Sequence, residues 1–191
     1  MRNKFFKTFI TMKKHLILLA AMMMMSMGAM AQDAQQDAKA KARAEYEAKA
    51  KQMQAEGAVV EDFTLKDIKG NDFSLSSLKG KYVVLDFWGS WCPWCIKGMP
   101  KMKEYYQKYQ GKLEIVGVDC RDTDEKWKAA VEKHQLPWIQ VYNPQGEGDI
   151  TKRLAILGYP TKIIVGPDGK IVKTILGEDP AFYTLLDELM K

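Results

Sequence analysis

Tyr82-Val83-Val84-Leu85-Asp86-Phe87-Trp88-Gly89-Ser90-Trp91-Cys92-Pro93-Trp94-Cys95 is the stretch that decides the fold of this 191-residue chain. Its first half is a nearly continuous apolar run, the pattern of a strand buried on both faces. Gly89-Ser90 ends the run, and Pro93 suits the first position of a helix, where a missing N–H costs nothing. A buried strand thus passes through a tight turn into a helix, with two cysteines at the junction. Cys92 falls near the helix N-terminus, where unpaired N–H groups and the macrodipole favour a thiolate. Cys95 lies one turn further in and is expected to be shielded. An exposed nucleophile backed by a protected resolving thiol is what thiol–disulfide exchange needs. A zinc site on the same pair requires two further ligands, and no second pair stands nearby. No metal and no cofactor is expected.

The rest of the chain sets the context. Arg2, Lys4, Lys7, Lys13 and Lys14 surround the start of an apolar stretch from Leu16 to Met30, and Ala29-Met30-Ala31 is a small-x-small site. This is the pattern of an export signal over residues 1–31, cleaved after Ala31. The stretch is short for a membrane span, so an exported protein, periplasmic in location, is expected. The chain carries 29 Lys and Arg against 24 Asp and Glu, and the whole excess sits in residues 1–31. The part that follows is close to neutral, so no nucleic-acid partner is expected. Three cysteines are too few for a disulfide-stapled scaffold. Cys120 ends the apolar run from Leu113 to Val118 and reads as a buried thiol packed like a small apolar residue.

Residues 32–57 are rich in Ala, Lys, Gln and Glu and have almost no apolar face. They read as a polar helical or flexible tether to a domain over 58–191. Val59–Leu65 and Asp72–Leu75 flank Lys69-Gly70-Asn71 and predict an N-terminal β-hairpin. Helices are expected from Pro93 to about Gln110, from Thr123 to Gln135, from Ile150 to Leu157 and from Pro180 to Lys191. Pro100 inside the first of these should kink it and free a carbonyl. Leu113–Val118 is a second buried strand, and Pro137–Tyr142 a short extended segment. Thr161–Val165 and Lys170–Leu176 bracket Gly166-Pro167-Asp168-Gly169, a strong hairpin signal. The order predicts an α/β fold with a central mixed sheet covered by helices on both faces.

Four features resemble the thioredoxin superfamily, and within it the exported TlpA/ResA-like thiol–disulfide oxidoreductases. They are Asp86–Cys95, Pro100, Gly158-Tyr159-Pro160-Thr161, and the opening Glu61–Leu65 with Leu78–Lys81. The resemblance covers 58–191 and implies a thioredoxin-like fold with a redox-active Cys92–Cys95 disulfide. It implies Cys92 as nucleophile, Cys95 as resolving thiol, and Asp86 as the buried acid that relays the proton of Cys95. A lone carboxylate in an apolar strand should indeed have a raised pKa. It further implies a cis Pro160 in a loop beside the cysteines, where the Tyr159 backbone pairs with substrate chain. Trp91, Pro93 and Trp94 complete the expected substrate surface, while Trp88, Trp127 and Trp138 are expected to pack. The dipeptide Pro93-Trp94, and Gly98 where cytochrome-maturation reductases often carry Glu, set this chain apart from that subgroup.

The expected activity is reduction of protein disulfides. The expected partners are proteins with cysteines or disulfides and a thiol electron donor, a membrane thiol transporter or another thioredoxin-like protein. A disulfide oxidase or isomerase of the same fold is the alternative. A copper-binding metallochaperone is a further one, which the Cys-x-x-Cys spacing disfavours. His134 is expected at the surface or at a helix end.

Overall fold

The computed structural model describes residues 32, 33 and 35–191, and the export signal expected over 1–31 lies outside the described residues. The chain divides into a first unit, Met1–Tyr46, and a compact body, Glu47–Lys191. Helix α1, residues 35–53, carries exposed side chains along most of its first half. That follows from its sequence, which offers no apolar stripe to bury.

Among the described residues the body holds strands β1 (Thr64–Asp67), β2 (Asp72–Ser74), β3 (Tyr82–Trp88), β4 (Leu113–Asp119), β5 (Ile139–Tyr142), β6 (Thr161–Val165) and β7 (Ile171–Leu176). Its helices are α2 (Pro93–Lys108), α3 (Asp124–His134), α4 (Ile150–Arg153) and α5 (Pro180–Leu189). The strands form one mixed sheet in the order β2-β1-β5-β4-β3-β6-β7. β3, β4 and β5 run parallel, while β6, β7, β1 and β2 join them antiparallel. The two crossovers β3-α2-β4 and β4-α3-β5 step the same way across the sheet. Right-handed connections therefore put α2 and α3 on one face. There Val84, Trp88, Ile115 and Ile164 pack with Met102 of α2, Trp127 of α3 and Phe182 of α5. The opposite face buries Leu85, Phe87, Val118 and Ile163 beneath Ile150 and Leu154. Side chains alternate along a strand, so Asp86, between Leu85 and Phe87, belongs to the face of α2.

Three boundaries differ from the sequence expectation. The first strand begins at Thr64 because Asp62 is used as an acceptor, taking the N–H groups of Phe63 and Ser76 at 3.0 and 2.9 Å. Leu75–Leu78 is a 3-10 turn rather than the end of a strand. Helix α4 stops at Arg153, four residues early, with Ala155 at φ 50°. The carbonyls of Leu154 and Ala155 accept from Gln54 Nε2 at 2.7 and 2.8 Å. Gly57 N–H bonds Ile171 O at 2.7 Å, and Lys173 pairs with Glu56 at 2.6 Å. The stretch from Gln54 to Gly57 is thus fastened to the body. Helix α2 runs through Pro100, which leaves the Ile96 carbonyl without an amide partner.

Candidate active site

The cysteines sit where β3 turns into α2. Cys92 is the N-cap of α2, with φ −97° and ψ 100°, and its sulfur accepts from Cys95 N–H at 3.2 Å. Sulfur thus occupies the place that a hydroxyl or carboxylate oxygen takes in an ordinary cap. The two cysteines are joined as a disulfide across three residues. Both are buried, at 3% and 5% exposure. The expected contrast between an open Cys92 and a shielded Cys95 is therefore absent from the oxidised form. Both cysteines belong to the core layer that holds Met99 and Trp88.

The turn before the helix is tightly held. Ser90 donates its N–H to Asp122 Oδ2 and its hydroxyl to Asp122 Oδ1, both at 2.6 Å. Trp91 folds back so that its indole N–H reaches Cys120 O at 2.9 Å. A Cβ at position 89 would lie 2.4 Å from Trp91 Nε1, so only glycine admits this fold-back. The Trp91 ring meets Tyr159 edge-on, with centroids 5.2 Å apart. The Arg121 guanidinium stands 5.8 Å from Trp91 and 5.1 Å from Tyr159. The Tyr159–Pro160 peptide bond is cis, and Pro160 O accepts from Gly177 N–H at 2.7 Å. Trp91 and Trp94 are exposed at 44% and 62%, and Pro93 is exposed between them. Two large aromatics are thus open to solvent on one short segment. Trp94 makes its contact with Lys97, whose ammonium is 5.1 Å from the ring.

Beneath the helix lies a charged group in an apolar layer. Asp86 is 6% exposed, and Lys162, its direct antiparallel partner on β6, is 2% exposed. Lys162 Nζ lies 3.7 Å from Asp86 Oδ1 and 2.5 Å from Glu178 Oε1. The longer distance is an ion-pair contact and not a hydrogen bond, and Asp86 Oδ1 has no hydrogen-bond partner. Burial pushes the Asp86 pKa up. The Lys162 charge opposes that push, and the Glu178 charge adds to it. The parallel neighbour of Asp86 on β4 is Gly117. Its missing side chain is replaced by Gln140 of β5, which accepts from Trp88 Nε1 at 3.2 Å.

Sequence reasoning passed over Lys162, Glu178 and Gln140. Lys162 had a signal, a lone cation in the apolar run Thr161–Val165 that mirrors the lone acid in Tyr82–Trp88. Cys120 is a free buried thiol. Burial raises its pKa well above the usual thiol range. Trp88, Trp127 and Trp138 are buried, and His134 is the last residue of α3.

The geometry is that of a disulfide at a strand-to-helix turn. Residues 56–174 match the AhpC/TSA family. The chain belongs to that family. Thiol-disulfide oxidoreductase ResA of Bacillus thuringiensis subsp. konkukian is 37% identical over 123 residues, covering 64% of this chain and 70% of the relative. ResA of Bacillus subtilis is 30% identical over 124 residues, covering 64% and 68%. The thioredoxin domain of a thiol-disulfide oxidoreductase from Bacteroides vulgatus superposes with a TM-score of 0.66 at 35% identity, covering 72% of this chain and 99% of that domain. The sheet and helices of the body are thioredoxin-like, and the activity class is thiol–disulfide oxidoreductase.

Proposed function

We propose that this chain is an exported reductase of protein disulfides that works through a Cys92–Cys95 dithiol/disulfide cycle. The observation that carries the direction is the charge around the pair. The residue between the cysteines next to Cys95 is uncharged Trp94, and the charged group under α2 holds two carboxylates against one ammonium. Neither adds a positive field to the one that the α2 N-terminus already supplies to the Cys92 thiolate. Strong oxidants of this chemistry are the ones whose reduced form is stabilised.

In the cycle, the Cys92 thiolate attacks one sulfur of a substrate disulfide. A Cys92–substrate disulfide forms, and the other substrate sulfur leaves as a thiolate that takes a proton from solvent. Asp86 as carboxylate then takes the proton of the Cys95 thiol. The Cys95 sulfur attacks Cys92, and the second substrate sulfur leaves as a thiolate. The substrate has gained two electrons and the protein has lost two, ending as the disulfide plus a protonated Asp86. Trp91, Pro93 and Trp94 supply the apolar landing surface, and the Tyr159 backbone before cis Pro160 pairs with extended substrate chain. A thiol donor outside the chain, a membrane thiol transporter or another thioredoxin-like protein, restores the dithiol. Residues 1–31 act as the export signal, and the domain over 58–191 carries the chemistry.

Equilibration of the exported form with glutathione measures the potential of the pair. A value near that of thioredoxin, about −270 mV, is expected. A value near about −120 to −180 mV would overturn the direction in favour of an oxidase or isomerase. Cys95→Ser is expected to accumulate mixed disulfides with exported proteins. Absence of adducts while Cys92 still alkylates would remove the mechanism.

A further inference from the structure

The charged group beneath α2 has an uneven geometry. Lys162 is held at 2.5 Å by Glu178 and stands 3.7 Å from Asp86. Glu178 comes from the segment between β7 and α5. Its carboxylate fills the space over Gly98, where a Cβ would lie 2.4 Å from Glu178 Oε1. Gly98 is three residues after Cys95, and positions i and i+3 share a helix face. The Glu178 carboxylate is therefore inserted one turn below Cys95, through a gap that only glycine leaves. On its outer side it lines a groove of about 390 Å³ with Trp94, Lys97, Lys101 and Tyr183. Asp86 has no such outlet.

Charge counting then decides where a proton settles. One ammonium faces two carboxylates. The Glu178–Lys162 pair is at contact distance and partly open to the groove, with the Glu178 side chain at 18% exposure. Asp86 is the more buried acid, with one oxygen unbonded. Lys162 is thus spent on Glu178, and burial with the Glu178 charge raises the proton affinity of Asp86. Were Glu178 uncharged, the flexible ammonium would turn to Asp86, and a close cation favours the ionised carboxylate.

We propose that Glu178 is a positioning residue for proton transfer at Asp86: by holding Lys162 away, it keeps Asp86 a base strong enough to take the Cys95 proton. This rests on the proposed role of Asp86. The charged and titratable groups that act on Asp86 are Lys162 on β6, Glu178 before α5, Tyr183 on α5 and the Cys120 thiol after β4, and Cys95 belongs to the core layer on the same face of the sheet. Lys97, Lys101 and Asp179 stand further out in the groove. The step stays balanced, since one proton passes from the Cys95 thiol to the Asp86 carboxylate while the sulfur pair forms and the substrate thiolate leaves.

The test follows resolution alone. The reduced full-length protein is mixed with an aromatic disulfide whose released thiol absorbs visible light, and the second, intramolecular release is timed from pH 5 to pH 10. Glu178→Gln, nearly isosteric, is expected to move the inflection of that profile down by about one unit. Lys162→Gln is expected to move it up. Opposite shifts are not produced by a general loosening of the site. An unmoved inflection in Glu178→Gln, with the inflection abolished in Asp86→Asn, overturns the role of Glu178 and leaves that of Asp86. An inflection that survives in Asp86→Asn removes Asp86 as the base, and the inference with it. The same carboxyl followed by carbon NMR in the oxidised protein reads the Glu178→Gln shift without any reaction, should Lys162→Gln fail to fold. An unchanged Asp86 titration there also overturns the proposal.

Discussion

Two buried aspartates on neighbouring parallel strands make an instructive pair. Asp86 lies mid-strand on β3, and Asp119 ends β4 as the register partner of Trp88. Both carboxyls are pushed up by burial, Asp119 to about 8. Their neighbours differ. Asp86 has a cation and a second acid whose arrangement sets its proton affinity. Asp119 faces the Asp122 carboxyl group, which is fixed by two bonds from Ser90, and neither Asp119 oxygen has a hydrogen-bond partner. One acid sits beside an ion pair on the face of the sheet that α2 covers. The other is raised to about 8 behind the turn that carries the cysteines. Burial raises both, and the company each keeps sets them apart.

The largest expected effect concerns Asp119. A carboxyl whose folded pKa is near 8 and unfolded pKa near 4 keeps its proton longer when folded. Its stabilisation is complete below pH 4 and is lost as pH rises towards 8, at about 1.4 kcal/mol for each unit. Asp119→Asn should flatten that decline, so urea unfolding at pH 5 and pH 9 should show the variant gaining on the wild type at the higher pH. An equal gap at both would mean Asp119 is not held protonated.

Next comes Asp86, the proposed base. Asp86→Asn should slow resolution at neutral pH about 100-fold, within the usual range for loss of a general base, and leave Cys92 attack unchanged. Asp119→Asn should leave both steps near wild type. Equal losses in the two variants, timed by stopped flow, would erase the distinction. Third, Asp122→Ala removes both acceptors of Ser90 and should cost about 1–3 kcal/mol in chemical denaturation. It should also bring the Asp119 titration down, because the opposing charge is gone. The smallest effect is expected from Gly89→Ala, which drives the Trp91 indole off Cys120 O. It should raise KM for a protein disulfide while kcat holds, a split read by steady-state kinetics.

Local order made much of this legible from sequence. The run from Tyr82 to Cys95 encodes its strand, turn and helix within reach of a few side chains, so β3 and α2 fell where expected. Asp86 announced itself by polarity in an apolar strand. Glu178 could not, because its meaning depends on Gly98, far away in sequence, leaving a gap on another element. Gln140 is the same case, since it fills the place that Gly117 leaves empty. The end of α4 also lay beyond local reading, because Gln54, from outside the expected domain, takes its last carbonyls.

The burial of both sulfurs at the N-cap of α2 has a thermodynamic consequence. Folding and electron transfer close a cycle. Whatever free energy separates the oxidised body from the reduced one must reappear as the gap between the potentials of folded and unfolded chain. About 30 mV answers to about 1.4 kcal/mol for this two-electron couple. Melting the two redox forms side by side is therefore an electrochemical measurement. If the disulfide form melts higher, the fold itself drives electrons outward.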